Sequence, residues 1–185
     1  MTLATPSLEH IADLRVEVSA PIEAGNSTGL NSRGRRRIIP IIGGVLSGPL
    51  LRGRVLPGGA DFQIVVSDTC ADLDARYILE LDSPGLEGEH IYVQNHALRR
   101  GSAENIARLV RGEAVDPAAI YFRSVLTLEV SCLQLQWLTE SVLIGSGARF
   151  PDHVMISIFR VLCLREAPCP SGKSPSPLKP WRRCI

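Results

Sequence analysis

Aromatic side chains are scarce in this chain of 185 residues: two Trp, three Tyr and four Phe make up 5% of it. An interior with so few rings has to be filled by Leu, Ile and Val, or left partly open as a pocket. An excess of one charge sign is also missing. Lys plus Arg number 20 and Asp plus Glu 19, with 45% of residues hydrophobic, which excludes both a strongly basic nucleic-acid binder and a disordered chain. No apolar run approaches the ~18 residues of a membrane-spanning helix. The opening segment carries Glu9, His10 and Asp13 where a signal peptide would need an unbroken apolar stretch. The expectation is a cytoplasmic protein with neither a nucleic-acid nor a membrane partner.

Lysine is nearly absent. Lys173 and Lys179 are the only two, and both fall in residues 167–185, which hold four basic residues and no acidic one. Residues 1–166 therefore carry 16 basic and 19 acidic side chains, a balance that does not attract phosphate backbones. Five of the 13 prolines (Pro168, Pro170, Pro175, Pro177 and Pro180) lie in the same terminal stretch, interleaved with Ser171, Gly172, Ser174 and Ser176. The composition predicts one domain over residues 1–166 and a proline-rich flexible tail over 167–185.

The five cysteines, Cys70, Cys132, Cys163, Cys169 and Cys184, contain no C-x-x-C pair and are expected as free thiols. Cys132 and Cys163 fall in apolar runs and read as core residues. His90 and His96 share a strand face, but six residues at 3.3 Å each separate them by about 20 Å, too far to share a zinc ion. His10 and His153 have no ligand-spaced companion. Neither a metal nor a cofactor is expected.

Period-two alternation marks strands at Ile11–Val18, Phe62–Val66, Leu73–Leu81, Ile91–Asn95, Ile120–Leu128, Leu138–Ile144 and Val154–Val161. Pro-Gly-Gly at 57–59, Asp-Ser-Pro-Gly at 82–85 and Gly-Ser-Gly at 145–147 read as turns between them. A single helix is predicted, with Ser102 as its cap, Glu104 in its first turn, Ile106, Leu109 and Val110 at helical spacing, and Gly112 at its end. The fold class is all-β: an antiparallel β-barrel of about 8–10 strands with one short helix, because closure removes exposed edges.

Two motifs lack the context their chemistry needs. Gly43-Gly44-Val45-Leu46-Ser47-Gly48 loosely echoes a dinucleotide fingerprint, but Pro49 and a strand-like run follow it where a helix is required. Gly145-Ser146-Gly147 lacks the flanks of a nucleophile elbow and reads as a turn. The basic run Arg33, Arg35, Arg36 and Arg37 reads as a solvated strand edge.

Charged residues alternate with apolar ones inside the strands. Asp74, Arg76, Ile78 and Glu80 share one face, Tyr121, Arg123, Thr127 and Glu129 another, and Asp61 and Gln63 a third. Such faces either meet solvent or converge inside the barrel, where paired charges offset one another's desolvation; alternation does not distinguish the two. For Asp61 the structural alternative is capping of the Gly-Gly turn, and for the arginines pairing with Asp74 and Glu129.

Several segments resemble domain-of-unknown-function family 3237: residues 35–44, from Arg35-Arg36-Arg37 to Gly43-Gly44; residues 48–63, from Gly48-Pro49 to Asp61-Phe62-Gln63; Asp74-Ala75-Arg76-Tyr77; Ile120-Tyr121-Phe122-Arg123; and Trp137-Leu138 followed by Gly145-Ser146-Gly147-Ala148-Arg149. The order is right and the likeness spans roughly residues 8–163. Ser67-Asp68-Thr69-Cys70 stands where the family usually has Asp-Gly, and the tail past Val161 extends its usual end. The resemblance implies a small β-barrel. Some fungal members close an oxygen heterocycle in aromatic polyketide pathways by adding a hydroxyl across an alkene, without redox cofactor or metal.

Two functions follow from the residues and this resemblance together. The first is a cofactor-independent cyclase or isomerase with Asp61, Arg76, Arg123 and Tyr121 as catalytic candidates and Gln63, Tyr77, Glu80, Asn95, Glu129 and Trp137 as substrate-binding candidates. The second is a non-catalytic barrel that binds or carries a small hydrophobic aromatic ligand. The expected partner in both is a small aromatic polyketide; association into a homo-oligomer is left open.

Overall fold

The computed structural model describes residues 3, 5–26, 28–30 and 32–163. The strands are β1 (Ser7–Val18), β2 (Ile22–Asn26), β3 (Arg35–Ser47), β4 (Gly53–Val55), β5 (Ala60–Ser67), β6 (Cys70–Leu81), β7 (His90–Arg100), β8 (Tyr121–Val130), β9 (Leu143–Arg149) and β10 (His153–Leu162). Helix α1 (Ala103–Val110) joins β7 to β8, and the single turn α2 (Gln136–Thr139) joins β8 to β9. Short 3-10 turns lie at Pro117–Ala119 and Leu133–Leu135.

All pairings are antiparallel, and eight strands close a ring: β1 pairs β3, β3 pairs β5, and β5 through β10 pair in succession until β10 returns to β1. β2 and β4 are additions, the first extending the ring beside β3 and the second bridging β3 and β6. Closure depends on β3 changing partners midway. Residues Arg35–Pro40 pair β5 and residues from Ile41 onward pair β1, and just past the change the register slips at Gly43-Gly44. There the backbone takes φ of +153° and +144°, and a Cβ on Gly44 would lie 2.1 Å from the Arg15 carbonyl oxygen, so only glycine fits this close crossing. The dinucleotide-like run is thus a strand bend.

Inward positions are mostly aliphatic, as the low aromatic content requires. Ile11, Leu14, Leu46, Val93, Leu135, Leu138 and Leu143 are sealed from solvent in the main cluster, each such side chain contributing about 1.5–3 kcal/mol on burial. A second cluster of Ala71, Leu73, Ala97, Ile120 and Phe122 lies under Leu109 of α1, so the helix covers one end of the barrel. Ser102 Oγ accepts from the Asn105 N–H at 3.2 Å at the start of α1, and Gly112 at φ +78° ends it. No helix among the described residues is long and apolar enough to cross a membrane.

Several expectations need correction. The strand expected over Leu138–Ile144 is split: Trp137 and Leu138 lie in α2 and the strand begins at Leu143. Gly145-Ser146-Gly147 is not a turn but the middle of β9. The basic run is only partly a solvated edge, since Arg37 points inward and is 5% exposed. Cys163 is exposed and Cys132 only partly buried, against the core expected for both. The proline-rich tail assigned to 167–185 lies outside the described residues.

Candidate functional site

The two packed clusters leave a cavity between them, with about 570 Å³ of empty space including its open mouth. Its walls are apolar over Val16, Ile39, Leu73, Phe122 and Ile156, and polar where Asp61, Gln63, Tyr77, Asn95, Arg99 and Arg149 project. Register explains the polar belt. Asp61 on β5 stands opposite Ala75 on β6, which in turn stands opposite Asn95 on β7, so a small side chain separates the acid from the amide. Arg99 lies four residues beyond Asn95 on the same face, and Gln63 stands opposite the buried Arg37.

Two inward glycines on β9 make the room. A Cβ on Gly147 would come within 2.8 Å of the Phe122 ring, and one on Gly145 within 2.3 Å of Ser124 Oγ. Phe122 therefore lies flat across β9, and Arg149, the next inward residue after Gly147, enters the cavity beside it.

The belt is short of hydrogen-bond partners. Gln63 Nε2 donates to Asp61 Oδ2 at 2.5 Å. Asp61 Oδ1, Gln63 Oε1, Tyr77 Oη, Asn95 Oδ1, Arg99 Nε and Arg149 Nη1 are buried without a protein partner, and all six belong to residues lining this cavity. Unsatisfied buried polar atoms are rare in folded proteins and costly, so these six must find partners in what fills the cavity, whether water or the polar groups of a ligand. Arg37 differs: it pairs with Glu23 at 2.6 Å.

Burial pushes the Asp61 carboxyl above its ordinary value, and the Gln63 amide, Arg99, the backbone at Asp74 and Arg149 only partly pull it back. Burial, reinforced by the neighbouring Asp61, holds the Tyr77 hydroxyl well above the usual tyrosine range. Burial lowers Arg99 to about 10, helped by Arg149 and Arg37 and opposed by Asp61, so it stays cationic at neutral pH. Arg149 is lowered by burial and by Arg37.

Of the residues singled out in the sequence, Asp61, Gln63, Tyr77 and Asn95 meet in this cavity. Arg76, Glu80, Tyr121, Arg123 and Glu129 do not. Alternation on β6 turns Leu73, Tyr77, Leu79 and Leu81 inward, and on β8 Phe122, Ser124, Leu126 and Leu128, because that choice buries the apolar area. Arg76 then pairs on the outside with Asp74 at 2.9 Å, and Glu80 with Arg54 at 2.8 Å. Arg123 lies over the exposed Tyr121 ring at 5.6 Å. Trp137 is partly buried against the main core under Arg160, outside the cavity lining. Arg99, Arg149 and Arg37 are cationic residues of the interior that sequence alternation did not single out. Arg99 has the same strand parity as Asn95, and Arg149 the parity of Gly145 and Gly147, a signal that longer strand limits expose.

A closed eight-stranded antiparallel barrel around a polar, arginine-bearing cavity defines a class of small ligand-pocket barrels. Within that class the chain belongs to the family described as Protein of unknown function (DUF3237), whose model matches residues 6–161. A UPF0311 protein of Rhodopseudomonas palustris is 40% identical over 158 residues, covering 85% of this chain and 99% of that one. The crystal structure of a conserved protein of unknown function from that organism superimposes with a TM-score of 0.78 at 37% identity, over 87% of this chain and all of the other. A β-barrel-like protein of Acinetobacter baumannii gives 0.72 at 36% identity, over 87% and 99%. A protein of Penicillium herquei described as an enzyme shares the fold at 15% identity, with a TM-score of 0.59 over 88% and 98%.

Proposed function

We propose that the cavity is an acid–base site that isomerises an oxygen-rich aromatic substrate, closing an oxygen heterocycle by adding a substrate hydroxyl across an alkene. The reading rests above all on Asp61, a carboxyl held toward its protonated form and turned toward two arginines. Because Oδ2 accepts from Gln63, the proton of the neutral acid resides on Oδ1, the oxygen without a protein partner. In the proposed step Oδ1–H protonates the alkene carbon while the hydroxyl oxygen bonds to the other carbon. The hydroxyl proton returns to the carboxylate. One C–H and one C–O bond form, one O–H bond and the alkene π-bond are lost, and the mass is unchanged. Arg99 and Arg149 stabilise negative charge on substrate oxygens, and the apolar wall with Phe122 restricts the substrate to one reactive conformer.

The test is incubation of the purified chain with alkenyl phenols of polyketide type, followed by chiral chromatography of equal-mass products. Ring closure to one stereoisomer, slowed by about 10²–10⁴ in Asp61→Asn, is the expected result. Tight binding with unchanged substrate connectivity would replace the cyclase with a carrier. A deletion strain accumulating an uncyclised isomer would identify the natural substrate.

A further inference from the structure

Many surface arginines of this protein, among them Arg15, Arg33, Arg52, Arg54, Arg76, Arg108 and Arg111, have a carboxylate within ion-pair distance, and the buried Arg37 has Glu23. The exposed Arg36, Arg100 and Arg123 face solvent; Arg99, only 5% exposed, and the partly buried Arg149 line the cavity with no carboxylate within ion-pair distance among the described residues. Each keeps a buried nitrogen without a partner, Nε of Arg99 and Nη1 of Arg149. The one acidic side chain lining the cavity is Asp61, whose Oδ2 is already engaged by Gln63.

A buried guanidinium without a counter-ion is strongly unfavourable, and two that repel each other are worse. Such a pair persists where a ligand supplies the missing charge. The two free N–H donors lie on separate side chains, which suits an acceptor group with two oxygens better than a phenolate with one. The remaining walls, Val16, Ile39, Leu73, Phe122 and Ile156, suit an apolar body.

We infer that the ligand of this cavity is an apolar organic acid whose carboxylate is held between Arg99 and Arg149. This rests on the cavity being the functional site, but it concerns recognition and not the chemical step. The carboxylate binds at the arginine end while Asp61 Oδ1, Gln63 Oε1 and Asn95 Oδ1 meet hydroxyl groups elsewhere on the same molecule. An uncharged substrate would leave Asp61 as the one acidic side chain in the cavity to face both cations.

Calorimetric titration of the full chain at neutral pH with benzoate against benzamide, and 2-naphthoate against 2-naphthamide, isolates the charge. The acids are expected to bind at least about tenfold more tightly than their amides. That preference should vanish in Arg99→Met and Arg149→Met and persist in Arg76→Met, whose side chain lies on the outer surface paired with Asp74. Should either methionine variant fail to fold, Arg99→Gln or Arg149→Gln serves instead. Without ligand, Arg99→Met should melt no lower than the parent, because it removes a buried charge that has no ion-pair partner. Equal affinity for acid and amide, no binding of either acid up to about 10 mM, or a preference that survives loss of both arginines would overturn the inference. Cyclisation of neutral substrates with no such preference would overturn it while leaving the catalytic reading intact.

Discussion

Gln63 and Asp61, two residues apart on one face of β5, share a hydrogen bond of 2.5 Å that engages Oδ2 of the acid and leaves Oδ1 facing the cavity. Strand geometry makes the pair: alternate residues stand side by side on the same face. The amide holds the carboxyl in one orientation, and burial shifts it toward the protonated form.

Asp61 should leave a signature in stability against pH. Its folded value is raised above the ordinary 3.8. The folded state therefore binds more protons than the unfolded state between those two values, and stability falls as pH rises through that window. Denaturant unfolding of wild type and Asp61→Asn from acid to neutral pH should show the wild type losing stability relative to the variant. The loss should reach about 1.4 kcal/mol for each pH unit separating the folded and unfolded values. Parallel curves would place the carboxylate in a solvated setting.

Gly147→Ala should destabilise the barrel by about 1–3 kcal/mol, because the new methyl must displace the Phe122 ring. Ligand binding should fall along with stability, since the same ring forms a cavity wall. Urea denaturation and calorimetric titration check the two effects. Phe122→Leu in the same chain should recover part of the stability.

The outward set offers a contrast. Arg76→Met and Arg123→Met should leave melting temperature, ligand affinity and turnover close to those of the parent. Both side chains lie on the outer surface, where exposed ion pairs contribute little. A loss of turnover in either would return these residues to the site.

Much of the fold is legible in the sequence because alternation and turn residues are local signals. The strand around Ile11–Val18, the Pro-Gly-Gly turn before Asp61 and the Ser102 cap all follow from neighbours within a few positions. The inner surface is less legible. On β6 and β8 the hydrophobic rule holds, so Arg76 and Arg123 face out; on β5 it is inverted, with Phe62 43% exposed and Gln63 2% exposed. That inversion turns Gln63 into the polar cavity, and a rule based on burying apolar area cannot anticipate it. The Gly-Ser-Gly run misled for a related reason: glycine serves there to clear space for a ring, not to turn the chain.

Loss of the α1 cap should be local. Ser102→Ala removes the acceptor for the Asn105 N–H and should cost about 1 kcal/mol. Amide hydrogen exchange in residues 103–110 should accelerate while exchange in β6 and β7 stays slow. Equal acceleration throughout would mean that the helix is integral to the barrel's cooperative unit.

The proposed chemistry turns on whether the cavity acid carries its proton against two neighbouring cations. Carbon-13 carboxyl NMR of Asp61 across a pH titration, in wild type and in Arg149→Met, measures this directly. A buried acid of this kind should titrate above the ordinary 3.8 in wild type and higher again in Arg149→Met, since Arg149 partly stabilises the carboxylate. Titration at or below 3.8 in wild type would contradict the buried acid on which that chemistry depends.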